Sequence, residues 1–165
     1  MNPTFVIPLK KGAITVLWGP AGIGKTITAL KLGEALGKKD ATVVGDRQEL
    51  ETKSSALNID AFLFSATSRL GIQDILSTAH VYNEKVIIID DVRSADIIQC
   101  AYEEVRRQDI AVVVSIQSSK QSNGCGEIAS EYLDVFAKMD VGSVIPVLCQ
   151  SNNGSRLVSF EWCKS

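Results

Sequence analysis

Residues 13–18 (AITVLW) form a short β-branched apolar run that ends at Gly19, and the glycine-rich stretch after it leaves the chain few conformational options. The segment Gly19, Pro20, Ala21, Gly22, Ile23, Gly24, Lys25, Thr26 places three glycines where an ordinary strand would continue. Glycine tolerates the left-handed backbone that a tight strand-to-helix turn demands. Beyond it, Ile27, Leu30, Leu32 and Leu36 recur at helical spacing until Gly37, Lys38 and Lys39 mark a helix end. Strand, glycine loop and helix succeed one another in that order.

In this context the pattern G-x-x-x-x-G-K-[ST] has a physical meaning. Backbone N–H groups of the loop converge on phosphate oxygens, and the helix N-terminus adds a favourable dipole. Lys25 reaches the β- and γ-phosphates, and the Thr26 hydroxyl is a magnesium ligand. Residues 19–27, Ile27 included, are therefore the expected nucleotide-binding segment, with ATP and Mg2+ as the expected cofactors.

A magnesium site at a phosphate loop needs a second acid at the end of a nearby strand. Residues 85–90 (KVIIID) read as that strand, with Asp90 as the expected metal residue. Water activation has rival candidates. Asp91 comes directly after Asp90, and Asp46 and Glu49 come after the second strand, residues 41–44 (ATVV), from where a carboxylate could face the γ-phosphate. Gln117 stands at the tip of the strand 110–116 (IAVVVSI), where a neutral amide can sense the γ-phosphate by hydrogen bonding.

Strands that alternate with helical segments at 24–36, 72–80 and 95–107 predict a parallel sheet covered on both faces. Residues 118–126 (SSKQSNGCG) read as an exposed loop. Three β candidates close the chain, 135–139, 144–149 and 156–162, the last two joined by a turn at Asn152, Asn153 and Gly154. The expectation is an α/β fold, a mostly parallel central sheet flanked by helices with a C-terminal antiparallel β extension. At 165 residues, one domain over 1–165 suffices.

The four cysteines, Cys100, Cys125, Cys149 and Cys163, are widely spaced and accompany a single histidine, His80, so neither zinc nor a disulfide framework is expected. No apolar run approaches the roughly 20 residues that span a bilayer, and no signal-like N-terminus is present, so a cytoplasmic protein without membrane contact is expected. A formal charge of −2 supplies no global attraction for nucleic acid.

Residues 7–26 (IPLKKGAITVLWGPAGIGKT), 112–121 (VVVSIQSSKQ) and 124–139 (GCGEIASEYLDVFAKM) resemble, in order, the entry to the phosphate loop, the sensor strand, and the subsequent loop, helix and strand of the RecA superfamily. That resemblance implies a minimal RecA-like P-loop NTPase that assembles with itself into a ring or filament. It also implies a Mg-dependent ATPase acting in DNA recombination, repair or replication, or in loading another motor, with single-stranded DNA or a DNA-processing protein as partner. Lys25, Asp91, Glu49 and Gln117 are its expected catalytic residues. The 118–126 loop, which would face DNA, carries only Lys120 as a cation, and Arg156 alone could serve as a trans-acting finger. Hydrolysis is accordingly expected to be slow or partner-dependent. Two other readings stand beside it, a non-hydrolysing nucleotide-gated assembly subunit and a small-molecule kinase.

Overall fold

The computed structural model describes residues 4–119, 126–149 and 157–164. Strand β1 (Thr4–Leu9) leads into β2 (Ile14–Gly19), the glycine loop and helix α1 (Lys25–Leu36). Next come β3 (Ala41–Gly45), α2 (Arg47–Leu57), β4 (Leu63–Ser65), α3 (Arg69–Ser77), a 3-10 turn (Ala79–Tyr82) and β5 (Val86–Ile89). The chain continues through α4 (Ala95–Arg107), β6 (Ala111–Gln117), α5 (Ser130–Ala137), β7 (Val144–Leu148) and β8 (Leu157–Trp162).

Six strands form one sheet in the order β4-β3-β5-β6-β2-β7, and every neighbouring pair is parallel. The strands are near-continuous apolar runs because both faces are covered. Alternate residues still divide cleanly. Ile87, Ile89, Val112 and Val114 pack with α3 and α4 through Leu76, Ile98 and Ala101. Val86, Ile88, Ala111 and Val113 pack on the other side with Leu30, Leu32 and Leu50 of α1 and α2. Side chains project to opposite faces at period two, so one apolar run serves two cores.

Side chains that cap the helices explain where they start. Asp46, Ser68 and Ser94 accept hydrogen bonds from the N–H groups of Glu49, Gly71 and Asp96, at the starts of α2, α3 and α4. Helix α1 has no such cap; its first turn opens directly from Gly24, held at φ 96°. At Gly33 the helix lies so close to the sheet that a Cβ would come within 2.6 Å of Val43 Cγ2.

The parallel helix-flanked sheet matches expectation, but the chain's end does not. Residues 135–139, read as a strand, belong mostly to α5: Tyr132, Val135, Phe136 and Met139 recur at helical spacing and all pack against the same apolar layer. With a helix there, β6-α5-β7 is a crossover, and β7 must return parallel to its neighbour. It does so beside β2. Nor does β8 fold back on β7 as an antiparallel hairpin; it pairs in parallel with β1, which the sequence reading had not assigned as a strand. Ile7 and Leu9 of β1 are fully buried, and this two-stranded ribbon covers α1. The proposed turn at residues 152–154 lies outside the described residues.

Candidate functional site

At the carboxyl ends of β2, β5 and β6 the phosphate loop bounds a cavity of about 340 Å³. Its walls include Lys25, Thr26, Asp90, Asp91 and Gln117, together with Glu49 from α2. Ala21, Gly22, Gly24 and Ile27 complete the loop side, with Gly22 at φ 80°. Of the expected nucleotide segment, Gly19 and Pro20 contribute carbonyls behind the cavity, and Ile23 turns into the apolar layer beneath α1.

The polar groups here are bonded to one another. Lys25 Nζ donates to the carbonyl oxygens of Gly19 and Pro20, both at 2.8 Å, so the side chain is folded over its own loop. Burial lowers its pKa, an effect partly offset by Cys149 and by the acids Asp90 and Asp91. Thr26 Oγ1 donates to Asp90 Oδ2 at 2.9 Å, which joins the start of α1 to the end of β5.

Asp90 is only 7% exposed, and its second oxygen accepts from Ser115 Oγ at 2.8 Å. Burial pushes the Asp90 pKa up; the two hydroxyl donors oppose that rise, while Glu49 and Asp91 add to it. Ser115 Oγ also accepts from the Asp91 N–H at 2.6 Å and so fixes both acids to β6. Asp91 takes the left-handed backbone at φ 55°, and its Oδ2 accepts from Arg93 Nε and Nη2 at 3.0 and 2.8 Å. Glu49 is paired with Lys53, one helical turn on, at 3.0 Å.

Gln117 lies opposite Gly19 in the β2–β6 register, and the next N–H, that of Ser118, donates to Gly19 O at 2.9 Å. That bond ties the phosphate loop to the start of the 118–126 segment, of which residues 120–125, Lys120 included, lie outside the described residues. Arg156 also lies outside them. Asp46 is occupied as the cap of α2 and borders a neighbouring hollow of about 410 Å³ that shares Glu49, Asp90, Asp91 and Arg93 with the phosphate cavity.

Two residues escaped the sequence reading. Ser115 is the one polar side chain inside the buried run of β6, which was its available signal. Lys53 lines the cavity from α2, and its signal was the i,i+4 spacing from Glu49.

The donor set suits magnesium. Thr26 Oγ1 and Asp90 Oδ2 lie 2.9 Å apart and would offer adjacent hard oxygen donors, and no group of three acidic, histidine or cysteine side chains able to hold a metal occurs among the described residues. A magnesium ion here would take most of its ligands from phosphate and water, as that ion prefers.

Residues 15–153 match the family described as "ATPase family associated with various cellular activities (AAA)". Among curated proteins no sequence matches this chain. The structure is similar to that of the ATPase DotB of Legionella pneumophila, with a TM-score of 0.44 and 12% identity, over 80% of this chain and 36% of that one. The chain thus spans little more than a third of DotB's length.

Proposed function

The chain belongs to the AAA family of ATPases, and from that premise we propose that it binds MgATP at residues 19–27 and hydrolyses it by in-line attack of water on the γ-phosphate. The observation that carries this reading is the 2.9 Å link from Thr26 to Asp90, which sets an oxygen ligand pair at the mouth of the phosphate loop. Bound magnesium would neutralise charge on the phosphate oxygens. Lys25 exchanges its two loop carbonyls for phosphate oxygens, a stronger charge-assisted pairing. Asp91 orients and deprotonates the water. Its N–H is held by the same Ser115 hydroxyl that steadies Asp90, so its place relative to the metal ligand is set by β6. Gln117 reports the γ-phosphate to the segment after β6.

One observation favours slow or gated turnover. Both candidate bases are tied up by cations, Asp91 by Arg93 and Glu49 by Lys53. Release of Arg93 from Asp91 is then a step before hydrolysis, and a partner that withdraws it would accelerate the reaction. A subunit that only binds ATP to organise an interface is the limiting case. The adjoining hollow is where an acceptor other than water would sit, which keeps the kinase reading testable.

RecA-like assembly into a ring or filament, and work on single-stranded DNA or with a DNA-processing protein, rest on the ordered sequence segments 7–26, 112–121 and 124–139. The deciding experiment is ATP binding and phosphate release by purified protein beside Lys25→Ala, with and without single-stranded DNA, while the oligomeric state is monitored. Turnover lost in Lys25→Ala establishes the ATPase, and stimulation by DNA adds the DNA-linked role. Tight binding without phosphate release supports the gated subunit. ADP formed without free phosphate points to the kinase, and absence of nucleotide binding overturns the proposal.

A further inference from the structure

Helix α2 carries two ion pairs of one-turn spacing, and the fold puts them in different places. Arg47 and Glu51 pair at 2.8 Å with 72% and 54% of their side chains exposed. Glu49 and Lys53 pair at 3.0 Å, but both of them line the phosphate cavity. The buried residues of α2 are Leu50 and Ser54, and Leu50 packs with Leu30 and Leu32 of α1. At 3.6 residues per turn, positions 49 and 53 fall on one flank of that buried stripe and positions 47 and 51 on the other.

The sheet decides which flank meets the site. Helix α2 starts directly after β3, which runs parallel to β5 with Val44 opposite Ile89. A Cβ on Gly45, the last residue of β3, would come within 3.4 Å of Asp90 Cβ, so α2 sets out from beside the metal residue. Burial is the main cause of the raised Asp90 pKa, and the nearby charge of Glu49 adds to it. Lys53, bonded to Glu49, thus stands at the metal end of the cavity. Magnesium held there would bridge β- and γ-phosphate oxygens, which makes this the γ-phosphate end.

Lys53 gives the cavity a second ammonium, on an element separate from the phosphate loop. Burial is the main cause of the lowered Lys25 pKa, and the charge of Lys53 contributes in the same direction, so the two cations lie within range of each other. Two ammonium groups gathered from different elements suit an anion that both can reach. We propose that Lys53 is a γ-phosphate ligand, kept at the cavity wall by Glu49 and transferred to the γ-oxygens by MgATP, so that it discriminates ATP from ADP. This assignment rests on MgATP binding at residues 19–27. An ion pair at 41% and 42% exposure is weak, so exchanging it for a charge-assisted bond to phosphate costs little. With Glu49 the resting partner of Lys53, Asp91 keeps the role of base.

The test is calorimetric titration of the full chain with MgADP and with the magnesium complex of the non-hydrolysable analogue AMP-PNP. Lys53→Met is expected to weaken AMP-PNP by about tenfold and ADP by less than about twofold. Lys53→Gln should repeat that split, and Lys53→Arg, which keeps the charge, should restore most of the preference for the triphosphate. Melting of the nucleotide-free variants should stay close to wild type, because a one-turn surface pair adds little stability. Equal weakening of both nucleotides, or an unchanged AMP-PNP affinity in folded Lys53→Met protein, would overturn the assignment and leave nucleotide binding standing. Wild-type protein that bound neither nucleotide would overturn the MgATP reading itself, and this assignment with it.

Discussion

The two ends of the sheet differ in how far their polar groups are networked. At the carboxyl end, Lys25, Thr26, Asp90, Ser115, Asp91 and Arg93 are all bonded to partners within the chain. At the amino end, the Thr42 hydroxyl faces the Glu84 carboxyl and favours its ionised form, an isolated pair beside the exposed rings of Phe62, Phe64 and Tyr82. A ligand at the first site must displace bonds already made, so its net gain is a difference between two sets of interactions. Internal pairing at the carboxyl end keeps the site intact when empty, whereas the amino end has no comparable network among the described residues.

The largest test of this contrast is Lys25→Ala. Loss of the charge-assisted bonds to phosphate is expected to weaken MgATP by about 3 kcal/mol, more than a hundredfold, in calorimetric titration. Stability of the nucleotide-free protein should change far less, since Gly19 O still accepts from the Ser118 N–H. Equal losses in both would mean that Lys25 is mainly structural.

Ser115→Ala comes next. It strips one oxygen of Asp90 and the Asp91 N–H of their partner, so chemical denaturation should show a loss of about 2 kcal/mol. A neutral result would break the picture of a pre-bonded site.

The pH dependence of stability sharpens the comparison further. Burial raises the pKa of both Asp90 and Glu84 above the ordinary carboxylate range. Each carboxyl is harder to ionise in the folded state, so stability should be fully present below the unfolded pKa and decline as pH rises through the folded one. Asp90→Asn and Glu84→Gln should each flatten that decline in melting curves taken across pH. Only Asp90→Asn should also abolish the extra stabilisation by ATP that depends on magnesium. If Glu84→Gln abolished it too, the two ends of the sheet would not be independent.

The smallest effect on stability belongs to Arg93→Ala. Arg93 is highly exposed, so its loss should leave stability nearly unchanged. With Asp91 freed, steady-state phosphate release should rise several-fold. A fall instead would make Arg93 a phosphate ligand rather than a restraint.

The glycine loop and its place between strand and helix were legible in sequence because they lie in short-range order: the glycines, Lys25 and Thr26 are adjacent, and the apolar runs on either side announce strand and helix. Asp90, Asp91 and Gln117 were legible for a related reason, since polar residues that terminate buried strands gather at one end of a parallel sheet. The chain's last third was not. Residues 135–139 include aromatic and branched residues that suit a strand, and tertiary packing of Tyr132 and Phe136 decided for helix. The β1–β8 pair and the Thr42–Glu84 pair depend on segments far apart in the chain, and no local pattern encodes them. Choice between Asp91 and Glu49 likewise turns on which cation each one meets, a matter of packing alone.

The parallel pairing of β1 with β8 has a consequence for the order in which the molecule is made. Among the described strands, β1 is made before the other seven, yet its partner is made after them. Closing so long a loop is entropically costly and slow, so the central sheet and the phosphate loop can form while Ile7 and Leu9 still wait for cover. Until residues 157–162 appear, the outer side of α1 presents bare apolar surface, and that nascent form is the one most in need of a chaperone.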